Sequence, residues 1–257
     1  MKNILGEKPE KFENLHGRVK YNCIFVTDEN IEGKTVLDIG CGFGWFELYA
    51  LQKKVHQITG IERSAKDLAT AKLSVTEQRV KFQEGSALLL PFDDNSFDTV
   101  VCWDVIEHLP KHQELQLFLE VKRVLKHMGS FYLSTPFNSV AGKIFDPAWW
   151  LIGHRHYSIK ELAVFANQTG FRLLTSTVRG GWWDLLGVLN LYGAKWIFRR
   201  SPFLQEFFDK KIDAEYEKKQ GFMSVFVKLE LARVLHHVIE AKGKNPKQYP
   251  DWEDEEE

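Results

Sequence analysis

Cysteine is scarce in this sequence. Cys23, Cys41 and Cys102 are three in 257 residues, and their wide spacing makes neither a disulfide framework nor a paired-cysteine zinc motif, which suits a reducing cytosol. Charge of one sign is missing as well. The 34 Lys and Arg stand against 35 Asp and Glu, which removes the usual electrostatic argument for a dedicated nucleic-acid binder, one that needs a locally basic face, so no nucleic-acid partner is expected. Long hydrophobic runs are absent, since no stretch reaches the roughly 20 apolar residues of a membrane span. The start of the chain, Met1-Lys2-Asn3 and then Glu7-Lys8-Pro9-Glu10, has no apolar signal-peptide core. Together these absences predict a cytoplasmic protein.

A composition 44% hydrophobic and 27% charged rules out global disorder and supplies the core of one large α/β domain. Aromatic residues, with eight Trp, are unusually many. From Lys34 to about Phe137, β-branched runs alternate with helical patterns. Strands are predicted over Thr35–Ile39, Gln57–Ile61, Val80–Gln83, Phe97–Trp103 and Ser130–Ser134, and helices over Trp45–Lys53, Ser64–Thr76 and Lys111–Lys126. The last helix rests on Leu115, Phe118 and Leu119, then Val121, Val124 and Leu125. This alternation predicts a mostly parallel sheet with helices on both faces.

Ser158 and Glu161 form a capping-box pattern that opens a helix to Thr169; Gly170 ends it before a strand over Phe171–Val178. A further strand is predicted over Phe222–Leu229 and a closing helix over Leu231–Lys242. Residues 1–33 read as an N-terminal helical cap, 34–242 as the main domain and 243–257 as a solvated acidic tail. Two aromatic inserts stand outside a minimal sheet: 138–157, with Trp149-Trp150-Leu151-Ile152, and 180–220, with Trp182-Trp183 and Trp196-Ile197-Phe198.

The informative motif is Val36-Leu37-Asp38-Ile39-Gly40-Cys41-Gly42-Phe43-Gly44, a buried strand ending in three glycines just before a helix. Glycines are needed there for unusual φ values and for the close approach of a ligand to the backbone. A dinucleotide fingerprint places its third glycine three residues after the second. Here Gly40, Gly42 and Gly44 alternate and Trp45 follows, which tells against a nicotinamide-dependent dehydrogenase.

The run resembles the first motif of class I S-adenosylmethionine (SAM) dependent methyltransferases, and the downstream sequence continues the match. Leu90-Pro91-Phe92-Asp93-Asp94-Asn95-Ser96-Phe97-Asp98, then Trp103-Asp104-Val105-Ile106-Glu107-His108-Leu109, is similar to the type 11 subgroup that includes ubiquinone-biosynthesis methyltransferases. The turn before the fifth strand departs from the family's K-P-G-G, reading Lys126-His127-Met128-Gly129. The resemblance covers about Thr35 to Phe171. It implies a Rossmann-like, doubly wound, mostly parallel seven-stranded sheet with SAM as cofactor.

The resemblance further implies Glu62, at the end of the second strand, as the ribose ligand, whose two carboxylate oxygens suit a vicinal diol. It places Gly85, Ser86 and Ala87 near the adenine, with Ser86 where relatives often have Asp. Cys41, Arg63, Asp104 and Val105 join Asp38 and the glycines in the implied cofactor set. Asp104 ends the fourth strand beside the methionine part or begins the next helix.

Methyl transfer from a sulfonium is an in-line displacement with a neutral thioether leaving. Alignment is the main protein contribution, worth up to about 7–11 kcal/mol. A general base is needed only where the acceptor must lose a proton, and His108 is the candidate, with a structural turn histidine as the alternative. His154, Arg155, His156 and Tyr157 cluster after the first insert. His154, His156 and Tyr157 are candidate substrate contacts, as are Trp182 and Trp183. No metal is expected, because two His at a spacing of two with no acid nearby are a weak metal pattern.

If Trp182–Arg200 is helical, Asp184, Gly187, Lys195 and Arg199 share one side and leave a wide apolar face. That face packs on the chain's own core, roofs a hydrophobic pocket, docks on a second copy as a homodimer, or lies at a membrane interface with Lys195, Arg199 and Arg200 near head groups. The expectation is a methyltransferase for a small-molecule or lipid-like acceptor. A noncatalytic SAM-binding or scaffold protein of the same fold and a protein methyltransferase are the alternatives.

Overall fold

Strand β1 (Thr35–Ile39) is an interior strand of the sheet, and Val36, Leu37 and Ile39 are all at most 1% exposed. Burying each such side chain is worth about 1.5–3 kcal/mol, and burial on both faces explains why the strand is a continuous apolar run apart from Asp38. The computed structural model describes residues 14–146, 149–150 and 153–231. The first thirteen residues of the expected N-terminal cap, Leu151-Ile152, the closing helix expected beyond Leu231 and the acidic tail lie outside the described residues.

After α1 (Gly17–Phe25) and β1 come α2 (Trp45–Gln52), β2 (Gln57–Glu62), α3 (Ala65–Ser74), β3 (Val80–Glu84) and β4 (Phe97–Trp103). Next are α4 (Glu114–Val124), β5 (Leu125–Pro136), α5 (Val140–Phe145), α6 (Ile159–Thr169) and β6 (Phe171–Arg179), then α7 (Trp182–Tyr192), α8 (Gln205–Glu217) and β7 (Ser224–Leu231). The sheet order is β3-β2-β1-β4-β5-β7-β6. Strands β1 to β5 pair in parallel, while β7 runs antiparallel to both β5 and β6. The chain reverses its direction of travel across the sheet between β1 and β4, and open α/β sheets bind ligands outside the carboxyl ends of strands at such a switch point.

The core divides between the two faces. Leu37, Ile39, Val100 and Cys102 pack on one side with Leu117, Phe118, Val121 and Val124 of α4. Val36, Ile58, Val101 and Tyr132 pack on the other with Phe46 and Tyr49 of α2 and Cys23 of α1. The inward stripe of α4 runs through Leu117 rather than Leu115 and Leu119, which are 38% and 47% exposed. At about 100° per residue, 117, 118, 121 and 124 share a face, and 115 and 119 fall on the opposite side.

Helix α6 begins as predicted, with the Ser158 side chain accepting from the Glu161 amide and Glu161 accepting from the Ser158 amide. Strand β5 is longer than expected: the Lys126-His127-Met128-Gly129 stretch lies inside it, with Met128 at φ 62° and a register shift against β4. The second insert folds as α7, one turn of π-helix over Gly193–Ile197, and α8. Neither α1 nor α7 has a side-chain cap of its own. Helix α8 supplies both: Asp213 accepts from the Gly17 amide, and Glu215 accepts from the amides of Gly181, Trp183 and Asp184. No described helix is long and apolar enough to cross a membrane.

Candidate active site

A cavity of about 750 Å³ opens at the carboxyl ends of β1 to β4, between the sheet and helices α1 and α7. The glycine loop forms its floor. Gly40 sits at φ 76°, and a Cβ there would lie 2.3 Å from Val105 Cγ2, so the loop and the turn after β4 interlock only because the residue is Gly. Gly42, at φ 53°, has nothing within 4 Å of where its Cβ would be, so a ligand can lie against its backbone.

Glu62 ends β2 with its carboxylate fixed by two backbone amides: Oε2 accepts from Gly42 at 3.2 Å and Oε1 from Ser64 at 2.8 Å. Each oxygen keeps acceptor capacity, which fits a diol donating two protons. Asp38, one residue before the end of β1, is 1% exposed, and its Oδ1 has no hydrogen-bond partner. Burial and the Glu62 charge push the Asp38 carboxyl well above the usual carboxylate range. Burial and Asp38 do the same to Glu47 of α2, whose two carboxylate oxygens are both unpartnered. Burial also raises the Cys41 thiol, with Glu47 adding to it. A cationic group beside Asp38 would favour its ionised form.

Gly85, Ser86 and Ala87 line the far end of the cavity. The Ser86 hydroxyl accepts from the Leu88 amide at 3.2 Å and so holds its own turn while retaining a donor and a second acceptor site. Arg63 lines the same end. Asp104 occupies a left-handed conformation at φ 55°, immediately after β4, with Arg18 of α1 3.3 Å from its carboxylate. Burial opposes the Arg18 charge, but Asp104, Tyr216, Asp184 and Glu107 outweigh it and keep the guanidinium protonated. Sequence reasoning missed Arg18, because nothing in α1 marks that one of its cations turns inward.

At the opposite end, Glu107 and His108 occupy a short 3₁₀ turn after β4. The first insert is fastened to this turn by Arg155, which donates to the carbonyls of Ile106 at 2.9 Å and Leu109 at 2.6 Å and pairs with Glu114. Tyr157 also donates to Glu114, at 3.0 Å, and pairs in parallel with Phe137. The join brings His154 Nε2 to 3.1 Å from His108 Nε2. Desolvation at the cavity wall and the facing His154 push the His108 imidazole down to about 4, so it is neutral at physiological pH. Burial and Asp104 raise Glu107 well above the ordinary range.

The structure brings Asp38, Gly40, Cys41, Gly42, Glu62, Arg63, Gly85, Ser86, Ala87, Asp104, Val105, His108, His154 and His156 to one cavity. It places four other predicted residues elsewhere. Gly44 starts α2 behind the loop, where a Cβ would crowd Val75 at 3.0 Å. Tyr157 is 5% exposed and packs in the core. Trp182, 58% exposed, meets Phe222 edge-on, and Trp183 meets Phe207 and Phe208. The wall contributed by α7 is instead Asp184, Leu185, Val188, Leu191 and Tyr192, a single helical face.

A doubly wound sheet of this order, with a glycine loop after β1 and an acid at the end of β2, is the fold of class I SAM-dependent methyltransferases. Residues 37–133 match the family described as a methyltransferase domain, and the chain carries that domain, whose cofactor is SAM. Over 145 residues the chain is 34% identical to phosphoethanolamine N-methyltransferase 2 of Caenorhabditis elegans, covering 54% of this chain and 32% of that protein. It is 29% identical over 207 residues to an uncharacterised protein of Methanocaldococcus jannaschii, covering 77% and 79%. A ubiquinone biosynthesis O-methyltransferase of Dechloromonas aromatica is 33% identical over 41% of this chain and 46% of its own. The chain thus spans about a third to a half of the methyltransferases it matches by name. Among solved structures, a putative sarcosine dimethylglycine methyltransferase from Galdieria sulphuraria superposes with a TM-score of 0.60 at 20% identity, over 80% of this chain and 81% of that one.

Proposed function

We propose that this protein transfers the methyl group of SAM to a small-molecule or lipid-like acceptor bound beneath α7. The observation that carries the reading is the division of the cavity. One end is built from the glycine loop, Glu62 and Gly85-Ser86-Ala87; the other is walled by Leu185, Val188, Leu191 and Tyr192 and closed by the polar group His108 and His154. The cofactor, when bound, supplies an electrophilic methyl on a positively charged sulfur. Glu62 fixes the ribose, and Asp38 and Arg18 face the charged ends of the methionine part. The apolar wall holds the acceptor's body and excludes water, so that its nucleophilic atom points along the cavity axis.

Surface chemistry supports an apolar acceptor. Val140, Ile144 and Trp150 of the first insert and Trp182, Leu186, Leu189, Trp196, Ile197 and Phe198 of the second are all exposed, far more apolar surface than an ordinary helix pair leaves in water. An acceptor drawn from a lipid phase accounts for that surface and for the apolar wall together.

Relatives differ in what they are named for, including phosphoethanolamine and, for a Campylobacter curvus protein 26% identical over 49% of this chain and 42% of its own, a tRNA uridine. Near-neutral net charge therefore does not by itself remove nucleic acid from the acceptor list. The deciding experiment incubates the protein with methyl-labelled SAM and a cell extract, then separates organic-soluble, aqueous small-molecule, RNA and protein fractions. Label in the organic or small-molecule fraction supports the proposal. Label confined to RNA or protein, or SAM binding with no label transferred, overturns it.

A further inference from the structure

Three ligand-type side chains converge at the acceptor end of the cavity. Glu107 and His108 come from the turn after β4 and His154 from the first insert, and one ligand atom of each lies within 4.8 Å of the other two. The facing Nε2 atoms of His108 and His154 are 3.1 Å apart. Two nitrogens held at about 2.0–2.1 Å by one tetrahedral ion stand ~3.3 Å apart, so this pair already has the spacing of a coordination edge.

Glu107 supplies the independent sign of a missing partner. It is 2% exposed, its Oε2 accepts from Thr135 Oγ1 at 3.0 Å, and its Oε1 is buried with no hydrogen-bond partner. A buried carboxyl oxygen is costly unless it is hydrogen-bonded or otherwise partnered. Asp146 stands behind the histidines, with Oδ2 3.6 Å from His154 Nδ1 and 2.9 Å from His156 Nε2.

We propose that Glu107, His108 and His154 bind one divalent transition-metal ion, zinc by ligand type, and present an open coordination position to an oxygen of the acceptor. Two imidazoles and one carboxylate are a set that zinc takes with a fourth position free. Such an ion holds an acceptor hydroxyl in place and favours its deprotonated form. The assigned role rests on the methyltransferase reading, whereas the binding itself does not.

The test strips the full-length protein with a chelator, dialyses it against Zn²⁺ or Co²⁺, and measures bound metal by mass spectrometry and the Co²⁺ visible spectrum. One equivalent per chain with a tetrahedral Co²⁺ spectrum is expected. His154→Ala and His108→Ala should each weaken binding at least tenfold, while His56→Ala, at the opposite end of the sheet, should keep the equivalent. SAM binding, followed by the shift in melting temperature, reports that each variant is folded. Absence of a stoichiometric metal in the wild-type protein overturns the site, as does a metal that persists in both cavity variants. SAM binding without metal counts against this site alone, and metal without SAM binding counts against the methyltransferase reading alone.

Discussion

Asp213 and Glu215 sit two residues apart on α8, yet they cap the first turns of two different helices, α1 and α7. The one carries Arg18 and the other carries Leu185 and Val188, so α8 sets the position of both cavity walls without lining the cavity. Neither helix has a capping side chain of its own, which makes these carboxylates substitutes for local caps.

Removing either cap should therefore loosen the cavity. Glu215→Ala and Asp213→Ala should each lower stability by about 0.5–2 kcal/mol, read as a lower urea midpoint. Asp213 also fixes a direction with pH. Burial opposes its charge, but the Gly17 amide, His16 and Lys20 hold its carboxyl below the usual value. Its stabilising contribution is then complete above about pH 4, the unfolded value, and is lost as pH falls through the folded value. Stability that responds equally to acid in the wild type and in Asp213→Asn would refute this.

Glu62 should dominate cofactor affinity. Glu62→Gln keeps the shape of the side chain but replaces an acceptor oxygen with a donor and removes the charge. Hydrogen bonds to a charged group are worth about 1.5–3 kcal/mol, so calorimetry should show SAM binding weakened by roughly ten- to a hundredfold. An unchanged dissociation constant would place the ribose elsewhere.

Cofactor binding should release protons. Asp38 is pushed up in the free protein by burial and by Glu62, and a positively charged ligand beside it favours the ionised form. SAM should therefore bind more tightly as pH rises, with proton release visible as a binding enthalpy that depends on the ionisation heat of the buffer. In Asp38→Asn that dependence should shrink. Proton uptake on binding would contradict the arrangement.

The acceptor wall can be blocked without touching the cofactor end. Val188 projects from α7 into the cavity, and Val188→Trp should cut turnover more than tenfold while leaving SAM affinity within about twofold, since a 1.4 kcal/mol loss is a factor of ten. Equal loss of both would mean that cofactor and acceptor share that space.

The parts of this site legible from sequence are those written in one short run. The glycine loop, Glu62 and the turn after β4 each follow a strand directly, so strand ends locate them and the topology brings them together. The α7 wall was legible only as a helix. Apolar residues occupy nearly all of its circumference, so periodicity could not say that Leu185 and Val188 face in while Trp182 and Leu186 face out. That choice is made by Glu215, Tyr216 and Ile212 of α8, which grip Asp184 and Gly187. The approach of His108 to His154 is longer in range still, depending on Arg155 reaching back to the carbonyls of Ile106 and Leu109. A two-residue histidine spacing read alone gave no hint of Glu107 as a neighbour.

Helix α7 runs into a π-turn at Gly193–Ile197. A π-turn amounts to one extra residue in an α-helix, which rotates everything after it by about 100°. Trp196, Ile197 and Phe198 lie in and just after that turn and are exposed. A change of chain length at this turn would rearrange that exposed aromatic surface, none of whose three residues lines the cavity.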